Sequence, residues 1–265
     1  MLHHWLAATD GSGSHVRLSH LDYKKAFDLV RRSQLAYRQT LQHRCKDFCC
    51  NWICDFMRHK SQRVKLDSSC LSEFINVLAG IPQGTKIGPW LFLAMINDLS
   101  TTSALWKFTD DTTLAEVIPK SSTSTLQNTV DGVLKWTDKN VFRLNPTKWK
   151  EMQIDFRKNR GASIPLESEG KQFEVVKSAK ILGLTVRDDL KWNDHINNVT
   201  VKASQRVYLL KQLKRADIDC ISLLKFYCAC IRSVLEYACQ SFHSSLPAYL
   251  SDQLERIQKR SLRVI

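Results

Sequence analysis

Three segments of the chain carry residues whose types and spacing could do chemistry. LDYKKAFDLV sets Asp22 at the end of a short apolar run, with Phe27 and Asp28 following. GIPQGTKIGP places Gln83 and Gly84 in a turn rich in Gly and Pro. FTDDTT holds Asp110 and Asp111 side by side between two runs with strand character. Carboxylates on adjacent strands suit Mg²⁺, a hard cation that takes oxygen ligands and keeps part of its water. Two such ions about 4 Å apart can activate an attacking hydroxyl and stabilise a leaving pyrophosphate. Each segment alone is ordinary, since an Asp-Asp pair or a Pro-Gln-Gly is generally just a turn. Their order and spacing make the combination specific.

The elements that must position these groups can be read from local pattern. Trp106–Phe108 and Thr112–Val117 predict two strands flanking the Asp110–Asp111 pair, a hairpin with carboxylates at its tip. Gln34–Arg58 reads as one or two helices, Trp90–Leu99 as a helix, Thr125–Asn140 as another, and Glu151–Phe156 as a strand. Glu174–Val186 offers apolar residues in short β-like groups. Beyond it, Ile196, Val199, Ala203, Val207, Leu210 and Leu213 recur at helical spacing, with Lys202, Arg206, Lys211, Lys214 and Arg215 assigned to the other face. Further helices are expected from about Ile221 to Ala238 and from Leu254. The pattern predicts an unstructured leader at 1–15, a mixed α/β region at 16–190 and a basic all-helical region at 191–265.

Composition is that of an ordinary globular protein: 265 residues, 43% hydrophobic and 25% charged, with 9 Gly and 6 Pro. Apolar runs such as Leu91–Ile96 fall far short of the ~20 residues that span a bilayer. No basic-then-apolar leader marks a secretory signal, so the expectation is a soluble intracellular protein, nuclear or cytoplasmic. Net charge is +13, with +5 over residues 1–100, −1 over 101–140 and +9 over 141–265. A basic tail beside a slightly acidic middle suits a polyanionic partner and a metal-binding centre. Of the nine cysteines, Cys45, Cys49, Cys50 and Cys54 crowd one segment near His43 and His59. They lack a C-x2-C pair, and their spacing fits a helix pointing free thiols inward rather than a zinc site.

These motifs together resemble the reverse transcriptases of non-LTR (LINE-type) retrotransposons, from Leu21 to the C-terminus. LDYKKAFDLV is similar to the family's first catalytic motif, GIPQGTKIGPWLFLAMINDL to its template- and nucleotide-contacting motif, and FTDD to its paired-aspartate motif. LNPTKWKEMQI is similar to the lysine-bearing motif that follows, and ILGLTVRDDLKW to the primer-grip region. KASQRVYLLKQLKRA with FYCACIRSVLEYACQSFHSSLP resembles the helical segment after the palm.

The resemblance implies an α/β (α+β) polymerase palm with a small antiparallel sheet, then a helical thumb-like region. It implies RNA-directed DNA polymerisation with two Mg²⁺ ions (Mn²⁺ as the substitute) held by Asp22, Asp110 and Asp111. It places Phe27 where an aromatic crowds a ribose 2′-hydroxyl, Gln83 and Gly84 at the incoming nucleotide or template, and Lys150 or Lys148 at the leaving pyrophosphate. Lys202, Lys211, Lys214 and Arg215 would follow a nucleic-acid backbone. The implied partners are an RNA template, a DNA primer and deoxynucleotides, with neither a membrane nor an obligate protein partner.

The chain departs from the family pattern at Thr109, where Ala is usual, and at Trp149, where a small Thr is usual. About twenty residues precede Asp22, where the family carries a fingers region, and no endonuclease segment is found. The expectation is therefore a polymerase that binds template–primer and extends it poorly, the alternative being a non-catalytic nucleic-acid-binding remnant. A remote alternative is an iron/2-oxoglutarate oxygenase of the alkylation-repair type. It rests on the His20-x-Asp22 spacing, on His195 or His243 as distal ligand, and on a likeness of the C-terminal helical segment to a module of such a protein.

Overall fold

The computed structural model describes residues 1–11, 13–31, 47–67, 69–77, 79–158, 163–168 and 170–265. They form two compact units, Met1–Val176 and Lys177–Ile265.

The first unit is built on a five-stranded sheet. β1 (His15–Leu21) lies at its centre, between β5 (Asp111–Ile118) and β6 (Lys150–Ile154). β4 (Ala104–Phe108) forms one edge beside β5, and the two-residue β9 (Glu174–Val175) forms the other. All pairings are antiparallel except β6 with β9, which is parallel, so the expected antiparallel sheet is a mixed one at that edge. Between these strands lie two short two-stranded ladders, β2 (Ser61–Gln62) with β3 (Ile75–Asn76), and β7 (Glu167–Ser168) with β8 (Lys171–Gln172).

Helices bury their apolar stripes in two clusters of this unit. α3 (Gly88–Ile96) starts at Gly88-Pro89, where the fixed φ of proline suits a first turn. It inserts Leu91, Phe92, Met95 and Ile96 beside Tyr23, Ala26, Val30 and Phe142. α4 (Leu126–Lys139) turns Leu126, Val130 and Val133 onto Leu21 and Leu114 of the sheet. Fully burying a side chain of that size contributes about 1.5–3 kcal/mol. The start of α4 is held by a strand residue: the Glu116 carboxylate accepts from the backbone N–H groups of Thr125 and Leu126 and from the hydroxyls of Ser124 and Thr125, at 2.6–3.1 Å. Burial works against that charge, and these four donors outweigh it, leaving the carboxyl below the ordinary glutamate range.

Two sequence expectations are corrected in this unit. The leader is not unstructured: α1 (Leu2–Thr9) is a helix whose Trp5 is wholly buried, edge-on to Trp106 of β4 at 6.1 Å. Trp5 is the one buried residue of this helix, so its sequence shows no apolar period. The expected helix over 34–58 is described from Asp47 onward, as α2 (Asp47–Met57); His43 and Cys45 lie outside the described residues. On α2, Cys50, Ile53 and Met57 are buried, Cys54 is half-buried and Cys49 is exposed.

The second unit begins earlier than residue 191 and is not all helical. It opens with a hairpin of β10 (Ser178–Ile181) and β11 (Leu184–Arg187), whose Ala179, Ile181, Leu184 and Val186 are buried. α5 (Asn193–Arg215) packs Val199, Ala203, Val207 and Leu210 against Leu223, Tyr227, Ile231 and Leu235. These come from α6 (Cys220–Phe226), a π-helical segment (Tyr227–Arg232) and α7 (Ser233–Leu235). The chain ends in α8 (Ala248–Leu262). No helix among the described residues is long and apolar enough to cross a membrane.

Candidate active site

Strand register brings the acidic residues together. Leu21 of β1 pairs with Thr112 of β5, so Asp22, one residue on, lies opposite Asp111, one residue back. Opposed residues of an antiparallel pair sit about 4.5–5.5 Å apart at Cα and share a face of the sheet. Asp110 completes the group at the β4–β5 turn, where Thr109 adopts φ +50°. The Thr109 hydroxyl contacts both the Phe108 carbonyl, at 2.7 Å, and the Asp110 carboxylate, at 3.0 Å. Partial desolvation, then the negative charges of Asp110 and Asp22, push the Asp111 carboxyl above its ordinary value. His20 and Lys148 pull the other way without outweighing them.

A second strip of backbone delivers a lysine. Beyond β1, the Lys24 N–H donates to the Arg143 carbonyl and the Asn145 N–H to the Asp22 carbonyl, with Tyr23 bridged to Leu144. The Pro146–Lys148 turn then doubles back, and Lys148 Nζ reaches the Asp22 carboxylate at 3.3 Å. Trp149 points the other way, wholly buried and stacked on Phe173 at 4.9 Å. Lys150, in β6, sits across from His20 of β1. The His20 ring shares a 2.9 Å hydrogen bond with the Thr113 hydroxyl, and burial lowers its pKa. Burial likewise pushes the neighbouring Tyr23 phenol up to about 12, so it stays protonated.

The remaining predicted residues share a cleft of about 460 Å³, lined by Phe27, Gln83, Gly84, Thr85 and Lys86 among others. Phe27 stacks on Phe92 of α3 at 4.7 Å, so one face of its ring is fixed by the core. Segment 27–30 is stitched to segment 80–81 by Gly80 N–H to the Val30 carbonyl and Ile81 N–H to the Phe27 carbonyl. Gly80 has φ +86°, and a Cβ there would stand 2.9 Å from the Asp28 carbonyl oxygen, so only glycine fits. Gly84 has φ +78° and open space around it. Gln83 donates to the Asp28 carboxylate at 3.0 Å. Motif spacing had not singled out Gly80, because its importance lies in a contact between distant segments.

In the second unit the basic residues of α5 do not form one stripe. At 100° per residue, Lys202 and Arg215 point about 140° apart. Arg206 bonds the Cys230 carbonyl, and Lys214 Nζ donates to the Ile265 carbonyl at 3.1 Å. His195 is buried against Trp192 and Phe242, with Nδ1 accepting from the Thr185 N–H at 3.3 Å. It is a packed core histidine, and nothing supports the oxygenase alternative.

Among the described residues, no group of three or more His, Cys, Asp or Glu is placed to hold a metal ion by itself, the set Asp22, Asp110 and Asp111 included. The donor set at the strand ends still fits Mg²⁺, which is commonly held by one or two carboxylates together with substrate phosphates and water. Residues 4–186 match the family described as reverse transcriptase (RNA-dependent DNA polymerase), and the chain belongs to that family. It is similar to the RNA-directed DNA polymerase from mobile element jockey of Drosophila melanogaster, 22% identical, covering 92% of this chain and 28% of that one. It is also similar to the probable RNA-directed DNA polymerase from transposon BS of the same fly, 22% identical over 71% of this chain and 22% of that one. The resemblance to retrotransposon polymerases of the LINE type is thereby upheld. The chain spans about a quarter of the length of these relatives. Among solved structures it resembles an apo telomerase of Candida tropicalis truncated from the C-terminal domain, with 12% identity, TM-score 0.48, and coverage of 72% of this chain and 37% of that one. It also resembles the telomerase of that yeast with a fragment of telomeric RNA, with 11% identity, TM-score 0.48, and coverage of 92% and 41%.

Proposed function

We propose that the chain performs RNA-templated DNA polymerisation, with Met1–Val176 as the palm and Lys177–Ile265 as a thumb-like region. The observation that carries this reading is the register of β1 against β5, which opposes Asp22 to Asp111 beside Asp110. In it these three carboxylates would hold two divalent cations, Mg²⁺ or Mn²⁺, together with substrate phosphates and water. When bound, such ions activate the primer hydroxyl and neutralise the charge on the leaving pyrophosphate.

The rest of the work falls to the chain's own groups. Lys148 holds the Asp22 carboxylate in place until substrate arrives, and then turns its ammonium to the phosphates. Lys150, on the adjoining strand, supplies a second cation or a proton for the leaving group. Phe27 presents a core-fixed ring that crowds a ribose 2′-hydroxyl and favours deoxynucleotides. Gln83, oriented by Asp28, and the open backbone at Gly84 contact the nucleotide or its templating base. Lys202, Lys211, Lys214 and Arg215 contribute phosphate contacts that carry no sequence information.

The test is incorporation of deoxynucleotides by the purified chain on an RNA template annealed to a DNA primer, with and without Mg²⁺. Template-directed, Mg²⁺-dependent extension is expected. Tight binding with no extension under any divalent ion would leave a nucleic-acid-binding remnant and overturn the catalytic reading.

A further inference from the structure

Between α2 and the Gln83 turn, the chain makes a hairpin that no part of the proposed mechanism uses. Ser61 pairs with Asn76 and Gln62 with Ile75, the Val77 N–H donates to the Lys60 carbonyl, and Lys65 bridges Leu71 nearer the tip. The return strand holds one extra residue, a bulge that adds twist to the ribbon. At the tip, one Asp67 carboxylate oxygen accepts from the Ser69 N–H and hydroxyl and the Cys70 N–H, at 2.6–2.9 Å, so this charge is spent on the turn. Every described residue from Ser61 to Asn76 is exposed. A two-stranded ribbon in water is marginal by itself, and this one offers its side chains to something other than its own core.

Alternation along the strands gives the hairpin two unlike faces. Ser61, Arg63 and Lys65 lie on one, where Arg63 is seated over the ring of Phe74 at 4.5 Å. Val64, Leu66 and Ile75 lie on the other, with Ser72 opposite Val64. The first face therefore carries two cations and an aromatic ring that remains 62% exposed beside its arginine. At its base, Lys60, Ser61 and Gln62 line a cavity of about 580 Å³ together with Gly80, Pro82 and Gln83. Ser61, the first residue of the basic and aromatic face, thus shares a cavity, lined also by Asp28, with the turn assigned above to template or nucleotide.

We propose that the Arg63–Lys65–Phe74 face binds the single-stranded RNA template just before it reaches Gln83. This rests on the polymerase reading and deepens it. A single strand presents what this face recognises: unpaired bases that stack on an aromatic ring or a guanidinium plane, and phosphates for the two cations. A duplex hides its base faces and offers only the phosphates.

The experiment compares fluorescein-labelled RNA–DNA hybrids, one blunt and one with an eight-nucleotide 5′ RNA overhang, bound to the full chain and read by anisotropy. The overhang should tighten binding, and Phe74→Ala should cut that gain by about tenfold while leaving blunt-hybrid affinity unchanged. Arg63→Ala with Lys65→Ala should reduce the salt slope for the overhang hybrid by about 1.4, two single-strand phosphate contacts' worth. Val64→Ala, on the opposite face, should preserve the gain. Equal losses on both hybrids, or an equal loss from Val64→Ala, would overturn the assignment. A wild-type chain that binds the hybrid without any gain from the overhang contradicts the hairpin assignment alone. A wild-type chain that binds neither hybrid sinks the polymerase reading, and this proposal with it.

Discussion

Gly80 and Gly84 stand four residues apart, both with positive φ, yet the structure gives them different work. Alanine at either position must adopt a left-handed conformation, which costs about 1–2 kcal/mol. At Gly84 nothing lies within 4 Å of the added carbon, so that backbone cost is the whole of it. At Gly80 the added carbon would also meet the Asp28 carbonyl oxygen at 2.9 Å and its Cα at 3.1 Å. Relief requires parting segments 27–30 and 80–81, and overpacking of this kind adds about 1–3 kcal/mol. Gly80→Ala should therefore be less stable than Gly84→Ala by about 1–3 kcal/mol, at about 2–4 °C in Tm per kcal/mol for a unit of this size. Thermal melts of the two variants measure the difference directly. Primer extension should rank them differently. Gly84→Ala should keep its fold but lose nucleotide affinity, because the proposed function gives the space it fills to substrate. Equal melting temperatures would refute the close-approach argument at Gly80. Unchanged nucleotide KM in Gly84→Ala would refute the substrate contact.

Two other outcomes follow from single contacts. Glu116→Gln should cost about 0.5–2 kcal/mol at pH 7, as loss of a helix cap does. The native carboxyl is depressed, so the stability it contributes is present above the ordinary glutamate range and is lost as pH falls through its lowered folded value. Urea midpoints of wild type and variant should converge in acid, and a gap that persists at pH 3 would contradict the cap. Lys148→Ala should cost at most about 1 kcal/mol, since exposed pairs contribute little, and should slow single-turnover incorporation more than Lys150→Ala does. Slowing by Lys150→Ala alone would return the amine nearest the chemistry to β6.

What was legible in the sequence was local. The strands around Asp110–Asp111 showed as alternation over a dozen residues, and α4 and α5 as helical periods, so those elements sit where their patterns place them. The partnership of Asp22 with Asp111 was invisible to any window, because β1 and β5 are about ninety residues apart in sequence; motif resemblance alone suggested it. Glu116 capping α4 is likewise a contact between a strand and a helix start that no capping pattern reveals. Trp5 betrayed nothing, since one buried ring makes no period. Charge counting along α5 did not reveal that Arg206 and Lys214 donate to backbone carbonyls of the same unit. The boundary fell at Val176 rather than near residue 190 because the β10–β11 hairpin pairs only with itself.

The central claim is that Asp22, Asp110 and Asp111 act together as the chemical centre. Single-turnover incorporation of one deoxynucleotide on an RNA template tests it most directly, with wild type, Asp22→Asn and Asp110→Asn at saturating Mg²⁺. Positioning arguments put the cost of a displaced reactant at about a hundredfold or more. Each variant should fall by at least that factor while retaining template–primer affinity and melting temperature. Incorporation by Asp110→Asn at the wild-type rate would contradict the account.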